Sequence, residues 1–208
     1  MAHILITSGP TRQYLDPVRY LTNASSGQMG AALAAAAVEA GHRVTVVSGP
    51  VSVKYPAEAK VISVVSTEEM LAEARKIFPD CDGLIAAAAP CDYRPAVVVR
   101  QKIRKTGGSL HLELIETPDI VATLAAAKGR QCIVAFALET EDRHLRAMQK
   151  LERKHCDLIV LNGPEAIHAG ETHVEVLDKD GRVVGEFAGG KSEVAKKLFQ
   201  VIEQIIKQ

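Results

Sequence analysis

Apolar and polar positions along the chain switch between two periods. Short apolar, largely β-branched runs recur at Ile4–Thr7, Arg43–Val47, Val61–Val65, Gly83–Ala88, Gln131–Phe136 and Asp157–Leu161. Runs of this kind, bounded by Gly, Pro or polar clusters, read as buried strands. The segments between them are helical in pattern. Ala31–Ala37 forms the body of a first helix, and Thr67 to about Phe78 a second, stopped by Pro79. Thr117-Pro118-Asp119 opens a third, with proline at an early helical position where its missing N–H costs nothing. Glu141–Lys154 and Ser192 to about Lys207 complete the set. Leu110–Ile115 alternates as a half-exposed strand, and Val174–Leu177 with Arg182–Phe187, joined by Asp178-Lys-Asp-Gly181, reads as a β-hairpin. Thr11–Arg19 and residues 90–109 read as polar loops. Strands alternating with helices predict a Rossmann-like, doubly wound α/β fold: a mostly parallel sheet, helices on both faces, and a C-terminal hairpin. No repeat or linker divides the chain, so residues 1–208 are expected to form one domain.

The stretch from residue 3 to 34 carries the strongest chemical signal. A strand ends at Gly9-Pro10, a loop follows, and Asn23-Ala-Ser-Ser-Gly27 then opens a helix with several good cap types. A helix start offers free N–H groups and the positive end of a dipole, which suits phosphate. The stretch lacks the G-x-G-x-x-G of a dinucleotide site. None of the four tyrosines is followed four residues later by lysine, so a nicotinamide-dependent reductase fits poorly.

Composition changes this picture only by exclusion. Lys+Arg and Asp+Glu are equal at 25 each, so no overall basic field points to nucleic acid or an anionic membrane. No apolar run is long enough for a membrane span. The chain enters a strand at once with no signal peptide, which predicts a cytoplasmic protein. Cys81, Cys91, Cys132 and Cys156 lie far apart and are expected as reduced thiols in or near the core. The seven histidines show no metal-site spacing, and no protein metal ligand is assigned.

Several motifs together resemble the phosphopantothenate–cysteine ligase family. They are Gly9-Pro-Thr-Arg12, Leu15-Asp-Pro-Val-Arg-Tyr20, Asn23-x-Ser-Ser-Gly-x-Met-Gly30, Asp92-Tyr-Arg94 and Lys102-Ile-Arg-Lys105. Pro118-Asp-Ile-Val121, Phe136-Ala-x-Glu-Thr140, the pair Lys150/Lys154 and Asp157-Leu-Ile-Val-x-Asn162 follow in order. Because the chain opens on its first strand, it resembles a free-standing synthetase. The resemblance implies that 4′-phosphopantothenate is activated by a nucleoside triphosphate, CTP more than ATP, with Mg²⁺. L-cysteine then captures the acyl-nucleotidylate. It also implies a homodimer with active sites near the subunit interface, and Arg19 as a residue reaching the neighbouring site.

The resemblance assigns roles residue by residue. Asn23 is implied as a catalytic amide, where the sequence alone allows a helix cap. Ser25, Ser26 and Gly27 are expected to hand N–H groups to the substrate phosphate. Lys102 is implied as the lysine of a mobile loop, about 90–109, although the loop alone would read as solvated and basic. Ala86, Ala87, Ala88 and Asp92 are implied to hold the nucleotide, as are Pro118, Asp119, Ile120, Val121 and Phe136. Lys150 and Lys154, spaced i,i+4, usually face solvent but are implied as triphosphate contacts. The chain departs from the family pattern at Pro90-Cys91, at Ala135 and Leu138, and at Gly163-Pro164 after Asn162. These positions adjoin the expected nucleotide pocket.

Overall fold

The computed structural model describes residues 1–138, 142–162 and 171–207. An eight-stranded sheet forms its centre. Its parallel part comprises β1 (His3–Ser8), β4 (Arg43–Ser48), β5 (Lys60–Ser63), β6 (Gly83–Ala86), β9 (Cys132–Leu138) and β10 (Leu158–Asn162). The order is β10-β9-β6-β1-β4-β5, the doubly wound arrangement expected from the alternating pattern. The C-terminal hairpin, β11 (Glu171–Asp178) and β12 (Val183–Gly190), extends the sheet antiparallel to β10.

Side chains alternate across the strands and feed two cores. Leu5, Val47, Leu84 and Ile133 face α2 (Thr67–Ile77), α3 (Ile120–Ala125) and α4 (Arg143–Arg153). Ile4, Ile6, Val46 and Val134 face α1 (Gln28–Glu39) and α5 (Lys191–Ile206). The four cysteines are buried and free. Burial raises their thiols, to about 12 for Cys81 and Cys132 and about 11 for Cys156, so they are inert. Among the described residues no helix is long and apolar enough to cross a membrane.

Several expectations change: the strand read over Gly83–Ala88 ends at Ala86, and residues 93–95 of the segment read as a loop at 90–109 form a short strand. The segment read as a polar loop at Thr11–Arg19 is a hairpin, β2 (Arg12–Asp16) and β3 (Arg19–Thr22). Polar residues hid it: Asp16 closes the turn by accepting from the Val18 and Arg19 N–H groups, each at 2.9 Å, and Tyr14 packs edge-on against Tyr20. The strand expected over Leu110–Ile115 shrinks to β8 (Leu114–Glu116), paired with β7 (Tyr93–Pro95). The strand expected to run to Val65 ends at Ser63. The third helix begins after Pro118, with Asp119 as its cap accepting from Ala122 N–H at 3.0 Å. The expected fourth-helix start at Glu141 lies outside the described residues.

Candidate active site

The strand sequence reverses at β1: β4 and β5 lie on one side of it, β6, β9 and β10 on the other. Ligands of doubly wound sheets bind beyond the carboxyl ends of strands at such a switch point. A cleft of about 800 Å³ opens there. Fifteen of the residues expected at the site line it: Asn23, Ser25, Ser26, Gly27, Ala86, Ala87, Ala88, Asp92, Pro118, Asp119, Ile120, Val121, Phe136, Lys150 and Lys154.

The floor is the loop after β6. Ala87 and Ala89 donate to the carbonyls of Thr7 and Gly9 at 3.1 and 2.9 Å, so the loop continues the sheet. Cys91 is its anchor. Its N–H donates to Thr11 Oγ1 at 2.8 Å, and its carbonyl accepts from Thr67 Oγ1 at 3.2 Å and Thr117 Oγ1 at 2.6 Å. This ring of threonines fixes Asp92, whose carboxylate lies exposed in the cleft. Asn23 stands opposite. Its amide donates to the carbonyls of Ala89 and Pro90 at 3.3 and 2.9 Å, tying the β2–β3 hairpin to the floor. Asn23 is not the helix cap that the sequence alone allowed: α1 begins later, at Gln28, with Gly27 in the left-handed region at φ 75° as its cap.

Two glycines set the position of α1. Gly27 provides the left-handed turn. Gly30 lies so close to β1 that a Cβ would come within 2.1 Å of Ser8 Oγ. The helix start is thereby held against the strand end, with Ser25 and Ser26 at the cleft.

The opposite wall is cationic. Lys154, with its side chain 14% exposed, pairs with Asp119 at 2.9 Å, and Lys150 donates to the Phe136 carbonyl at 2.9 Å. Burial opposes the charge on Asp119, but hydrogen bonds from Lys154 and the Ala122 N–H outweigh it and hold the carboxyl below its ordinary value. Arg153 also lines this wall. Of the departures, Leu138 lies in the cleft and is 45% exposed, and Cys91 is buried beneath it. Glu139, Thr140 and Gly163-Pro164 lie outside the described residues.

Lys102 and Arg19 are placed elsewhere. Lys102 is exposed and does not line the cleft. Arg19 works within its own chain: it donates to the Ile103 carbonyl at 2.9 Å while Asp16 accepts from the Ile103 N–H at 3.1 Å. Asp16 and Arg19 also lie 3.5 Å apart as an ion pair. The loop is thus clamped to the hairpin one residue after Lys102, and again where Val99 N–H donates to Leu15.

Sequence reasoning missed Gln28, Arg153, Asn162 as a lining residue, Thr172 and Lys191, all at the cleft. Arg153 was legible as a cation one residue before Lys154. Thr172 and Lys191 come from the C-terminal hairpin and the last helix, and only the register of β11 brings them to the site.

The family model of the DNA/pantothenate metabolism flavoprotein C-terminal domain matches residues 1–206. The chain belongs to this family. Among similar proteins, the coenzyme A biosynthesis bifunctional protein CoaBC of Vibrio vulnificus (strain YJ016) is 47% identical over 162 residues, covering 76% of this chain and 40% of that protein. The CoaBC protein of Bacillus subtilis (strain 168) is 40% identical over 211 residues, covering 99% of this chain and 52% of that protein. The chain therefore spans about half the length of the curated relatives it matches. A crystal structure of the C-terminal domain of a CoaBC protein superposes with a TM-score of 0.85 at 36% identity, covering 99% of this chain and 96% of that one.

Proposed function

We propose that the chain is a phosphopantothenate–cysteine ligase, acting as a cytoplasmic homodimer of one domain with a mobile lid at about 90–109. The observation that carries this reading is a single cleft at the switch point. It joins the start of α1 to the Lys150/Lys154 wall, with Asn23 and Asp92 between them. An acid with an anionic tail and a nucleoside triphosphate have room to meet there.

The carboxylate of 4′-phosphopantothenate attacks the α-phosphorus of the nucleotide, and pyrophosphate leaves. The cysteine amine then attacks the activated carbonyl, losing a proton as the nucleoside monophosphate departs. Ser25, Ser26 and Gly27 take the substrate phosphate. Lys150 and Lys154 take the triphosphate as point charges, exchanging the Phe136 carbonyl and Asp119 for phosphate oxygens. Asn23 stabilises the acyl-phosphate oxygens, and Lys102 arrives with the lid.

Among the described residues, no group of three His, Cys, Asp or Glu can hold a metal ion. Mg²⁺ would be carried chiefly by the phosphate oxygens, with Asp92 a carboxylate lining the cleft that could share it, and would neutralise phosphate charge. CTP is the nucleotide this reading favours: base discrimination needs hydrogen bonds, and Asp92 and the backbone after Ala86, which line the cleft, offer groups for them. Val18, Tyr20, Val97, Val98, Leu110 and Leu112 leave apolar area exposed on the two small hairpins and the lid, which supports a second copy covering that face.

The test is pyrophosphate release that depends on phosphopantothenate, run with CTP and ATP in parallel. Cysteine-dependent product with a higher specificity constant for CTP is the expected result. No phosphopantothenate dependence would overturn the ligase reading, and parity with ATP would overturn the nucleotide assignment. Light scattering giving an active 22.3 kDa monomer would remove the dimer.

A further inference from the structure

The loop between β4 and β5, residues 49–59, supplies no residue to the cleft lining, yet it supports the backbone behind it. Val51 packs on Gly9 and Gly27, both in the left-handed region: a Cβ on either would meet its Cγ1, at 2.6 Å from Gly9 and 2.9 Å from Gly27. Tyr55, half-buried, turns back from the same loop against the core shared by β1, β4 and α1. Its hydroxyl lies 2.9 Å from Ser8 Oγ and 2.8 Å from Ser48 Oγ. Ser8 and Ser48 are the last residues of β1 and β4, and both are buried.

The partners fix the direction of these bonds. A serine hydroxyl has one hydrogen, and Ser8 gives it to the Gly27 carbonyl at 3.3 Å. Ser8 Oγ therefore accepts from the Tyr55 O–H, and the Tyr55 oxygen is left to accept from Ser48. Ser48 also lies 2.9 Å from the Gly49 carbonyl, but the path from Tyr55 through Ser8 to Gly27 is the same wherever its hydrogen points. The Gly27 carbonyl accepts the Ala31 N–H as well, at 3.0 Å, the opening bond of α1. At 3.3 Å the Ser8 bond is long, so its orientation depends on the hydroxyl behind it.

The segment from Asn23 to Gly27 is thus held at both ends. The Asn23 amide ties one end to the Ala89 and Pro90 carbonyls, and Ser8 ties the other at Gly27, with Ala24 and Ser26 exposed between them. On the ligase reading, Asn23 releases those carbonyls when its amide turns to the acyl-phosphate oxygens, and the hold at Gly27 then has to keep the segment in place. We propose that Tyr55 is a positioning residue for that step. Through Ser8 it fixes the Gly27 carbonyl, and with it the backbone from which Asn23 reaches the reacting group. A misplacement of about 1 Å in such a group costs up to about 10²-fold in rate, so a hydroxyl remote from the substrate acts on turnover. The effect on turnover rests on the ligase reading; the hydroxyl relay itself does not.

The experiment measures turnover in wild type, Tyr55→Phe, Ser8→Ala, Asn23→Ala and the double variant Tyr55→Phe/Asn23→Ala, with Lys54→Ala, an exposed neighbour in the same loop, as control. Tyr55→Phe keeps the ring and its packing, so the test does not depend on Ser8→Ala folding. It should lower kcat about 3- to 10-fold, the worth of one neutral hydrogen bond, and Lys54→Ala should not. The nucleotide KM should stay unchanged, because Lys150 and Lys154 stand on α4 and its end, away from the relay. In the Asn23→Ala background Tyr55→Phe should cost little more, since the amide it positions is gone. Equal fold losses in both backgrounds, or a loss confined to the nucleotide KM, would overturn the assignment. Amide exchange at Ala31 gives a readout free of the reaction: it should quicken in Tyr55→Phe and Ser8→Ala and stay at the wild-type rate in Lys54→Ala. Unchanged exchange in Tyr55→Phe would sink the relay. Quickened exchange in a protein that turns over no phosphopantothenate would leave the relay standing and remove the ligase reading.

Discussion

The two ends of the cleft both suit anions but are built differently. At the α1/α5 end the positive potential comes from backbone N–H groups held by Gly27, Gly30 and the sheet, with one lysine added. At the α4 end it comes from long side chains that already have partners, Lys154 on Asp119 and Lys150 on the Phe136 carbonyl. Backbone donors cannot turn away or lose a proton, so the first end is preorganised for its ligand. The lysines must exchange partners, and a triphosphate with several charges offsets that exchange where a single phosphate would do so less well. On the proposed ligase reading, the first end would be a fixed seat for a group that does not react and the second an adaptable seat for the nucleotide.

The largest expected effect lies between the ends. Asn23→Ala should reduce turnover by about 10²–10³-fold while leaving binding at either end nearly unchanged. Its amide now donates to the Ala89 and Pro90 carbonyls, and it caps no helix, so the stability cost should be about 0.5–1.5 kcal/mol for a typical hydrogen bond. Turnover, both KM values and the melting temperature measured on one sample test this. A folded variant with wild-type turnover would leave Asn23 as a tether alone.

Lys154→Gln sharpens the contrast next. The nucleotide KM should rise about 10- to 100-fold, with the phosphopantothenate KM unchanged, the reverse of the pattern expected from the fixed end. Asp119, 39% exposed, loses its ion pair but keeps its cap, so stability should change by no more than about 1 kcal/mol. Parallel rises in both KM values would mean that the two ends are one site.

The parts of this contrast that could be read from the sequence are the local ones. The alternating strands and helices gave the parallel sheet, and the Asn23–Gly27 helix start and the i,i+4 lysines were legible as spacing. Thr172 and Lys191 were not, because nothing in the long intervening sequence marks a register that brings β11 and α5 back to the start of α1; Lys191 lies 163 positions beyond Gln28, and only pairing in three dimensions closes that distance. Hairpin β2–β3 was missed for the opposite reason. Its buried Gln13 and Asp16 are polar, so no apolar alternation betrays a strand, and its stability rests on side chain to backbone bonds.

Lys102 belongs to neither end in this arrangement, and its variant tests whether the cleft gains a further cation beside Lys150, Arg153, Lys154 and Lys191. Lys102→Gln should still release pyrophosphate in a single turnover, since Lys150, Lys154 and Arg153 remain for the triphosphate. Amide formation should slow by about tenfold, an amount typical of one lost charged contact, so that acyl-nucleotidylate accumulates. Quenched samples taken with and without cysteine separate the steps. Equal loss of both would assign Lys102 to nucleotide binding at the α4 end.

The smallest effect concerns the clamp that holds the lid. Asp16 is buried, and burial opposes its charge, but hydrogen bonds from Val18, Ile103 and Arg19 with the Arg19 charge hold its carboxyl below the ordinary 3.8. A depressed carboxylate stabilises the fold above its unfolded pKa and loses that contribution as pH falls through the folded value. Asp16→Asn should therefore lower Tm at neutral pH, and the gap to wild type should narrow as pH falls below the ordinary carboxyl value of 3.8 and on through the lower value of the folded carboxyl. At neutral pH the same variant should speed tryptic cleavage after Arg100, Lys102, Arg104 and Lys105, because Ile103 loses part of its hold. Both ends of the cleft lie off this clamp, so both KM values should be unaffected. A gap in Tm that persists undiminished into acid, with cleavage at the wild-type rate, would show that Asp16 shapes the hairpin turn and does not restrain the lid.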